Sequence, residues 1–456
     1  MSEAIALAGG PTGSAHLRDR LDSEARTLEP GWWPRLPVTG GSVGTGAPLT
    51  SDDGVAAFHV LTNSLPHTQS GYTLRSHAVL TAQRDAGIRV EAATRLAYPV
   101  SIGVLHARHC DTVDGIAYRR AIPVRTARHA EDRAQQTAEL LLPHVERFRP
   151  HVLHTTTNFA NALVTRALAE RLGVPWVYEV RGLLEETWVA GRPTAAERER
   201  ADRSERHRLL RARETEMARA ADAVVTLSAT LRDELVDRGV PAGTITVVPN
   251  GVDTELLTRR SSPSAARHVV GLPGEGFWVG TVSSLVDYEG LDTLIDAVVE
   301  LRRRGVDARA LVVGDGVSRP HLERRAALAG LGAHAVFTGR VPRHLAPDHH
   351  EALDVFVVPR RDLQVCRKVT PSKPLEAMAV GRPVVVSDVP ALAELVEPHG
   401  SGRVVPRATS ARSPTASRSC TVHPSCGRVS PRRGGPSPPP GHGRPRARST
   451  AGCTRI

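Results

Sequence analysis

From about residue 56 the chain alternates short apolar runs with longer amphipathic stretches. Phe58-His-Val-Leu-Thr62 reads as a short buried strand. A polar turn holding Ser70-Gly71-Tyr72 follows it, and the spacing predicts a helix over 73–86. Gly87 stops that helix, and Ile88-Arg-Val-Glu-Ala-Ala93 starts the next strand. The unit recurs as a strand at 152–154, a helix over 160–172 ended by Gly173, and a strand at 176–180. A single charged helix is expected over 195–220, then a strand at 223–227. Apolar strands alternating with helices predict an α/β protein with parallel sheets covered on both faces.

The alternation breaks at Pro249-Asn-Gly-Val-Asp253, runs through a Ser/Pro/Arg-rich segment to Gly276, and resumes. Strands are expected at 277–282, 310–313, 336–338, 355–358, 383–387 and 403–405, with helices over 292–304, 319–329, 347–353, 374–380 and 391–396. The chain therefore divides into a Gly/Ser/Thr/Pro-rich extension over 1–55, expected to be disordered with Trp32 and Trp33 docking locally. A first doubly wound, Rossmann-like domain covers 56–250, a hinge 251–276, a second such domain 277–406, and a tail 407–456.

Composition changes this picture in one place. The formal net charge is +11, which taken alone suggests nucleic acid. Yet the tail after Pro406 holds ten Arg and neither Asp nor Glu, so the remaining residues are close to neutral. Nucleic-acid binding is not expected. The five Cys form no CxxC pair, and the histidines at 144, 151, 154, 349 and 350 lack ligand-spaced partners, so no metal is expected. No run of about 18–20 apolar residues is present for a membrane span. The first residues lack a basic n-region, so a cytoplasmic protein is expected, with peripheral contact at the inner membrane face left open.

The tail, rich in Pro, Arg, Ser and Gly, has no apolar period. Two readings stand: a disordered basic tail, or out-of-frame translation. The second follows because a doubly wound sheet still needs covering helices after residue 405, and a two-nucleotide shift can encode an amphipathic helix there.

Ligands of open α/β sheets sit at the C-terminal ends of the strands. Three segments fall there: 280–297, beginning Gly280-Thr-Val-Ser283-Ser284; Val313-Gly-Asp-Gly316; and 369–388, with Lys373-Pro374-Leu375-Glu376. Gly-Asp-Gly alone is more often a tight turn. The third segment is the specific one, because the chain's two lysines, Lys368 and Lys373, both lie in or beside it. Compact ammonium groups kept together suit a diphosphate.

In order and at matching spacing, the chain carries Ser70-Gly71-Tyr72, Val177-Tyr-Glu-Val-Arg-Gly182, Ala221-Asp-Ala-Val-Val-Thr-Leu-Ser228, Val248-Pro-Asn-Gly-Val-Asp253, Tyr288-Glu-Gly-Leu-Asp292 and Lys373-Pro-Leu-Glu-Ala-Met-Ala379. Over about 58–405 it resembles glycosyltransferase family 4, retaining nucleotide-sugar enzymes of GT-B fold, and within it a subgroup with Tyr-Glu-Gly and Thr-Pro-x-Lys-Pro-Leu-Glu-Ala-Met motifs. The resemblance implies two Rossmann-like domains facing a cleft, the second binding a UDP-, GDP- or dTDP-sugar and the first a saccharide, lipid-linked or metabolite acceptor. No cofactor or metal is implied beyond the nucleotide sugar. It also implies a front-face substitution in which the leaving phosphate oxygen takes the acceptor proton.

By the same resemblance Glu376 bonds the donor ribose, Lys373 faces the diphosphate, and Arg181 stands where many members have a His near the transferred sugar, so these three are the catalytic candidates. Donor contacts are expected from Ser283, Ser284, Arg340, Val341, Arg360, Arg361, Lys368, Lys373, Pro374, Leu375 and Glu376, and acceptor contacts from Ser70, Gly71 and Tyr72. The chain departs from the family pattern in three places. Lys368 stands at the motif's first glutamate, and Ser284 and Glu289 stand where an Arg and a Lys usually hold the phosphates. Arg360 or Arg361, with Lys373, is expected to compensate. The alternatives are a sugar-nucleotide epimerase of the same fold and an inactive or truncated binding protein.

Overall fold

The computed structural model describes residues 15–37, 54–397 and 400–406. The first lobe is built on an eight-stranded sheet of β1 (Ala56–Leu61), β2 (Arg89–Thr94), β3 (Cys110–Val113), β4 (Ile116–Arg120), β5 (Val152–Thr156), β6 (Trp176–Val180), β7 (Ala223–Thr226) and β8 (Ile245–Val247). Their order is β3-β4-β2-β1-β5-β6-β7-β8, and all pairs are parallel except β3 with β4. β1 is buried along its whole length because helices cover both faces. Its crossover helix, Gly71–Asp85, starts where Ser70 and Thr73 form a reciprocal capping box.

The second lobe has six parallel strands, β9 (Phe277–Val282), β10 (Ala308–Val313), β11 (Ala335–Gly339), β12 (Val355–Val358), β13 (Val384–Ser387) and β14 (Gly402–Val405). The order β11-β10-β9-β12-β13-β14 is the Rossmann order 3-2-1-4-5-6. The order in which strands are added reverses between β1 and β5 in one lobe and between β9 and β12 in the other. A crevice opens at each of these two points. The expected α/β architecture of two doubly wound domains is present.

Several expectations need correction. Residues 15–37, read as part of a disordered extension, contain the helix Ala15–Leu28 and a following strap on the first lobe. The buried guanidinium of Arg213 donates to the carbonyls of Thr27 (3.0 Å) and Trp32. Trp33 is sandwiched between Arg35 and Arg166 and donates to Glu170 at 2.7 Å, so the docking of both Trp residues holds. Residues 1–14, 38–53 and the tail from 407 lie outside the described residues, and with them both readings of the tail. The single helix over 195–220 is two, Ala195–Asp202 and Glu205–Ala220, because Ser204 caps the second. The segment 251–276 is more than a hinge: its helix Pro263–Val269 sends Ala266 into the second lobe's core and Arg267 to the carbonyl of Ala352.

Polar contacts tie the lobes together. Glu394 of the second lobe accepts from the backbone N–H groups of Ala229 and Thr230, at 2.7 and 3.0 Å, at the start of helix Ala229–Asp237. Lys368 pairs with Glu234 at 3.0 Å, and Arg198 with Asp287 at 3.3 Å.

The Gly-Asp-Gly turn is a close-packed joint. A Cβ on Gly314, whose φ is +129°, would lie 1.9 Å from the Ser283 carbonyl oxygen, and one on Gly316 would lie 2.3 Å from that of Leu285. Gly314→Ala is therefore expected to cost about 2–3 kcal/mol, from strain and overpacking together. Urea unfolding of the full chain checks this, and an unchanged midpoint would contradict the joint.

Candidate active site

The first-lobe side of the candidate site is built at the C-terminal ends of β1, β5 and β6. A cavity of about 260 Å³ opens there, lined among others by Thr62, Asn63, Ser70, Tyr72, Thr156 and Gly182. The lining is hydroxyl- and amide-rich and carries no charged side chain, which suits a polyol or sugar surface. Ser70 lines it while its hydroxyl caps the helix, accepting from Thr73 N at 3.3 Å. Tyr72 is half exposed. Its hydroxyl sits against Gly182, where an added Cβ would be 2.6 Å away. Gly182→Ala is therefore expected to push the phenol aside and raise the acceptor KM about tenfold, with stability nearly intact, because the obstacle is the end of a movable side chain. Steady-state kinetics beside thermal unfolding separates the two effects.

Arg181 is buried beneath this cavity. Its guanidinium pairs with Glu179 at 2.5 Å and donates to the Tyr72 carbonyl (2.9 Å) and the Ser76 hydroxyl (2.8 Å). Both terminal nitrogens are thus engaged within the protein and brace Tyr72, while the buried Nε has no hydrogen-bond partner among the described residues. Glu179 is the hub. It also accepts from Arg75 Nε at 2.8 Å and lies 3.4 Å from His154 Nε2. Arg75 in turn donates to the carbonyls of Val248 and Pro249, so the hub braces the start of the hinge. Burial works to raise the Glu179 carboxyl, yet His154 and Arg181 outweigh it and hold the group well below the usual carboxylate range. His59, stacked on His154 at 4.4 Å, is pushed down by burial and by that neighbour.

On the second-lobe side the cations separate into those with and without an ion pair among the described residues. Arg360 is locked to Glu289 (2.8 Å) and to the Val369 carbonyl (2.9 Å). Arg361 is held by Asp292 (3.0 Å) and the Asp287 carbonyl (2.9 Å). Lys368 is spent on Glu234 across the lobes. Each of the three cations expected at a diphosphate therefore also neutralises an acidic residue of this chain. Arg360 is the counter-charge of the buried Glu289.

Lys373 differs. It opens the helix Lys373–Ala379 and makes no ion pair among the described residues. Its Nζ lies 3.6 Å from where a Gly71 Cβ would be, so it crosses from the second lobe to the acceptor loop. A Cβ at 71 would stand in ordinary van der Waals contact with that ammonium. Pro374 is buried in the first turn, and the Ser372 side chain does not cap it.

One turn on from Lys373, Glu376 is half-buried, 3.3 Å from His350 Nε2. Burial raises this carboxyl, but His350, with Lys373 and Arg343 behind it, wins and holds it below the usual range. It is ionised at neutral pH and able to accept from two hydroxyls. His350, itself buried against Phe356 with Nδ1 unpartnered, was missed from sequence as part of this group.

Ser283 has a buried hydroxyl without a partner, Ser284 is exposed, and Leu375 is half-buried. Arg340 is exposed, whereas Val341 packs toward the second lobe's core.

Comparison with known proteins bears on both lobes. Residues 77–256 match the family described as Glycosyltransferase Family 4, and residues 276–415 match Glycosyl transferases group 1. The chain is 34% identical over 192 residues to the GDP-mannose-dependent alpha-(1-6)-phosphatidylinositol monomannoside mannosyltransferase of Mycolicibacterium smegmatis, covering 41% of this chain and 49% of that one. It is 32% identical over 221 residues to the 2-deoxystreptamine glucosyltransferase of Streptomyces kanamyceticus, covering 47% and 54%. The aligned parts thus span about half the length of these relatives. Among solved structures, sucrose-phosphate synthase from Thermosynechococcus elongatus aligns with a TM-score of 0.61 at 19% identity, covering 77% of this chain and 86% of that one. Anabaena HepE with UDP and glucose aligns at 0.58 and 20% identity, covering 77% and 86%. These two show the shared GT-B fold. With both lobes matched in order and the GT-B sheets in place, the chain belongs to the family 4 glycosyltransferases.

Proposed function

We propose that the chain is a retaining glycosyltransferase that takes a sugar from a nucleotide diphosphate held by the second lobe and transfers it to a hydroxyl in the first-lobe cavity. One observation carries the reading: Lys373, an ammonium without an ion pair among the described residues, projects from the second lobe to the wall of the hydroxyl-lined cavity, with ionised Glu376 one turn behind it. Glu376 accepts from the donor's ribose hydroxyls. Lys373 lies against the diphosphate as the anomeric C–O bond breaks and negative charge grows on the leaving oxygen. That oxygen takes the proton of the acceptor hydroxyl as the new glycosidic bond forms on the same face. The neutral cavity wall favours an uncharged hydroxylated acceptor, a saccharide or the sugar head of a glycolipid.

UDP-, GDP- and dTDP-sugars are the donors to test, by thermal shift and then by transfer to simple glycosides. Stabilisation by one nucleotide series followed by product with retained anomeric configuration supports the reading. No stabilisation by any of the three overturns it.

A second reading, nucleotide-sugar binding without turnover, is favoured by the loss of Arg360 and Arg361 to internal pairs. Calorimetry showing nucleotide affinity, with no product from any donor, would select it.

A further inference from the structure

We propose that Glu186, Asp202 and His207 form a binding site for a divalent transition-metal ion, with zinc the best match, on the wall of a second cavity between the lobes. The three side chains come from three successive helices, Leu184–Ala190, Ala195–Asp202 and Glu205–Ala220. One ligand atom from each lies within 4.8 Å of the others. His207 Nε2 is 3.2 Å from Glu186 Oε1 and 3.8 Å from Asp202 Oδ1. Ligands held at about 2.0–2.2 Å around a tetrahedral ion stand at roughly such separations. In an unbroken helix over 195–220, positions 202 and 207 would point well apart, being five residues from each other. The break at Arg203–Ser204 is what brings Asp202 back beside His207.

The burial of Glu186 adds to the clustering. The residue is 6% exposed, and its partner among the described residues is His207 alone. The nearby Arg238 bonds Glu185 at 2.7 Å and Glu234 at 2.8 Å, and acts on Glu186 only through space. A buried carboxylate needs a counter-charge. Glu186 and Asp202 both line a cavity of about 260 Å³ whose opposite wall, Asp362, Leu363, Gln364 and Arg367, belongs to the second lobe. That cavity supplies room for a fourth ligand, water or a group from the other lobe.

A mixed imidazole–carboxylate set suits zinc and its neighbours, whereas magnesium and calcium prefer oxygen alone. Binding replaces the His207–Glu186 hydrogen bond with two metal bonds and requires the Nε2 lone pair. The site is separate from the donor and acceptor cavities, and the proposal stands whether or not the transferase reading does.

The test uses the full chain, treated with chelator and dialysed, then titrated with Co²⁺ followed by its visible ligand-field absorption and with Zn²⁺ by calorimetry. One equivalent of Co²⁺ with a four-coordinate absorption band, weakened at least about tenfold by His207→Ala and unchanged by His144→Ala, is the expected result. The sequence has 20 His, so weak adventitious binding is the competing outcome. Several equivalents without a band, or affinity equal in His207→Ala, overturns the site. If His207→Ala fails to fold, Glu186→Gln and Asp202→Asn serve the same comparison, and unchanged binding in both overturns it equally.

Discussion

Lys373→Ala is expected to lower kcat/KM for glycosyl transfer by about 100- to 1,000-fold, roughly the loss seen when one preorganised charge-stabilising group is removed. The fall appears mainly in kcat, because negative charge on the leaving oxygen grows as the bond breaks. Stability stays nearly constant, since Lys373 makes no ion pair among the described residues that the change would break. Lys373→Arg recovers only part of the loss: the wider guanidinium has to fit where the ammonium passes Gly71. Kinetics with saturating donor and acceptor, beside a melting curve, checks all of this. A variant with unchanged kcat would remove Lys373 from the chemistry and leave the cleft reading without its cation. If the protein binds nucleotide without turnover, the same substitution shows as weaker nucleotide affinity.

Glu179→Gln is the largest expected change in stability, about 3–5 kcal/mol. The carboxylate is buried and faces Arg75, Arg181 and His154. Neutralising it strands two guanidinium groups away from water. Its pH signature has a definite sign. The folded pKa lies below the unfolded value of about 4.3, so Glu179 contributes its stability above that value and loses it as pH falls through the folded pKa. His59 also matters in acid. Its folded pKa is below the unfolded value of about 6.5, so it costs stability once pH drops under that point. The difference between wild type and Glu179→Gln is therefore flat above about pH 6.5, changes slightly below it because Glu179 also raises His59, and closes below about pH 4. Urea midpoints at four pH values would show it. The acceptor KM rises too, because Arg181 holds the Tyr72 carbonyl. A stable variant with an unchanged pH profile would refute the hub.

Much of the fold was legible because parallel strands buried on both faces announce themselves as apolar runs. All six strands expected in the second lobe are present, most within one or two residues. The antiparallel pair β3–β4 was not read, although its signal was there. Asp114-Gly115, both at positive φ, is a two-residue hairpin turn between Val113 and Ile116. Its strands are short and half polar, which hid them. The helix Ala15–Leu28 was missed because it docks by side chain to backbone hydrogen bonds more than by an apolar stripe.

The site was legible where motif and local geometry coincide, as at Ser70-Gly71-Tyr72 and Lys373 to Glu376. It was not legible where charges are cancelled at long range. Arg360 meets Glu289 some 71 positions away, and Lys368 meets Glu234 in the other lobe. Spacing along the chain carries no trace of such pairings. The triad at 186, 202 and 207 was hidden by the helix break.

Because the two halves of the molecule are clasped by carboxylates and cations, added electrolyte acts on the clasp. The screening length falls from about 10 Å at 0.1 M salt to about 3 Å at 1 M. Arg198–Asp287, partly wetted, slackens first; Lys368–Glu234, more sheltered, yields last. The clasp is therefore expected to loosen with salinity before the apolar packing inside either lobe does.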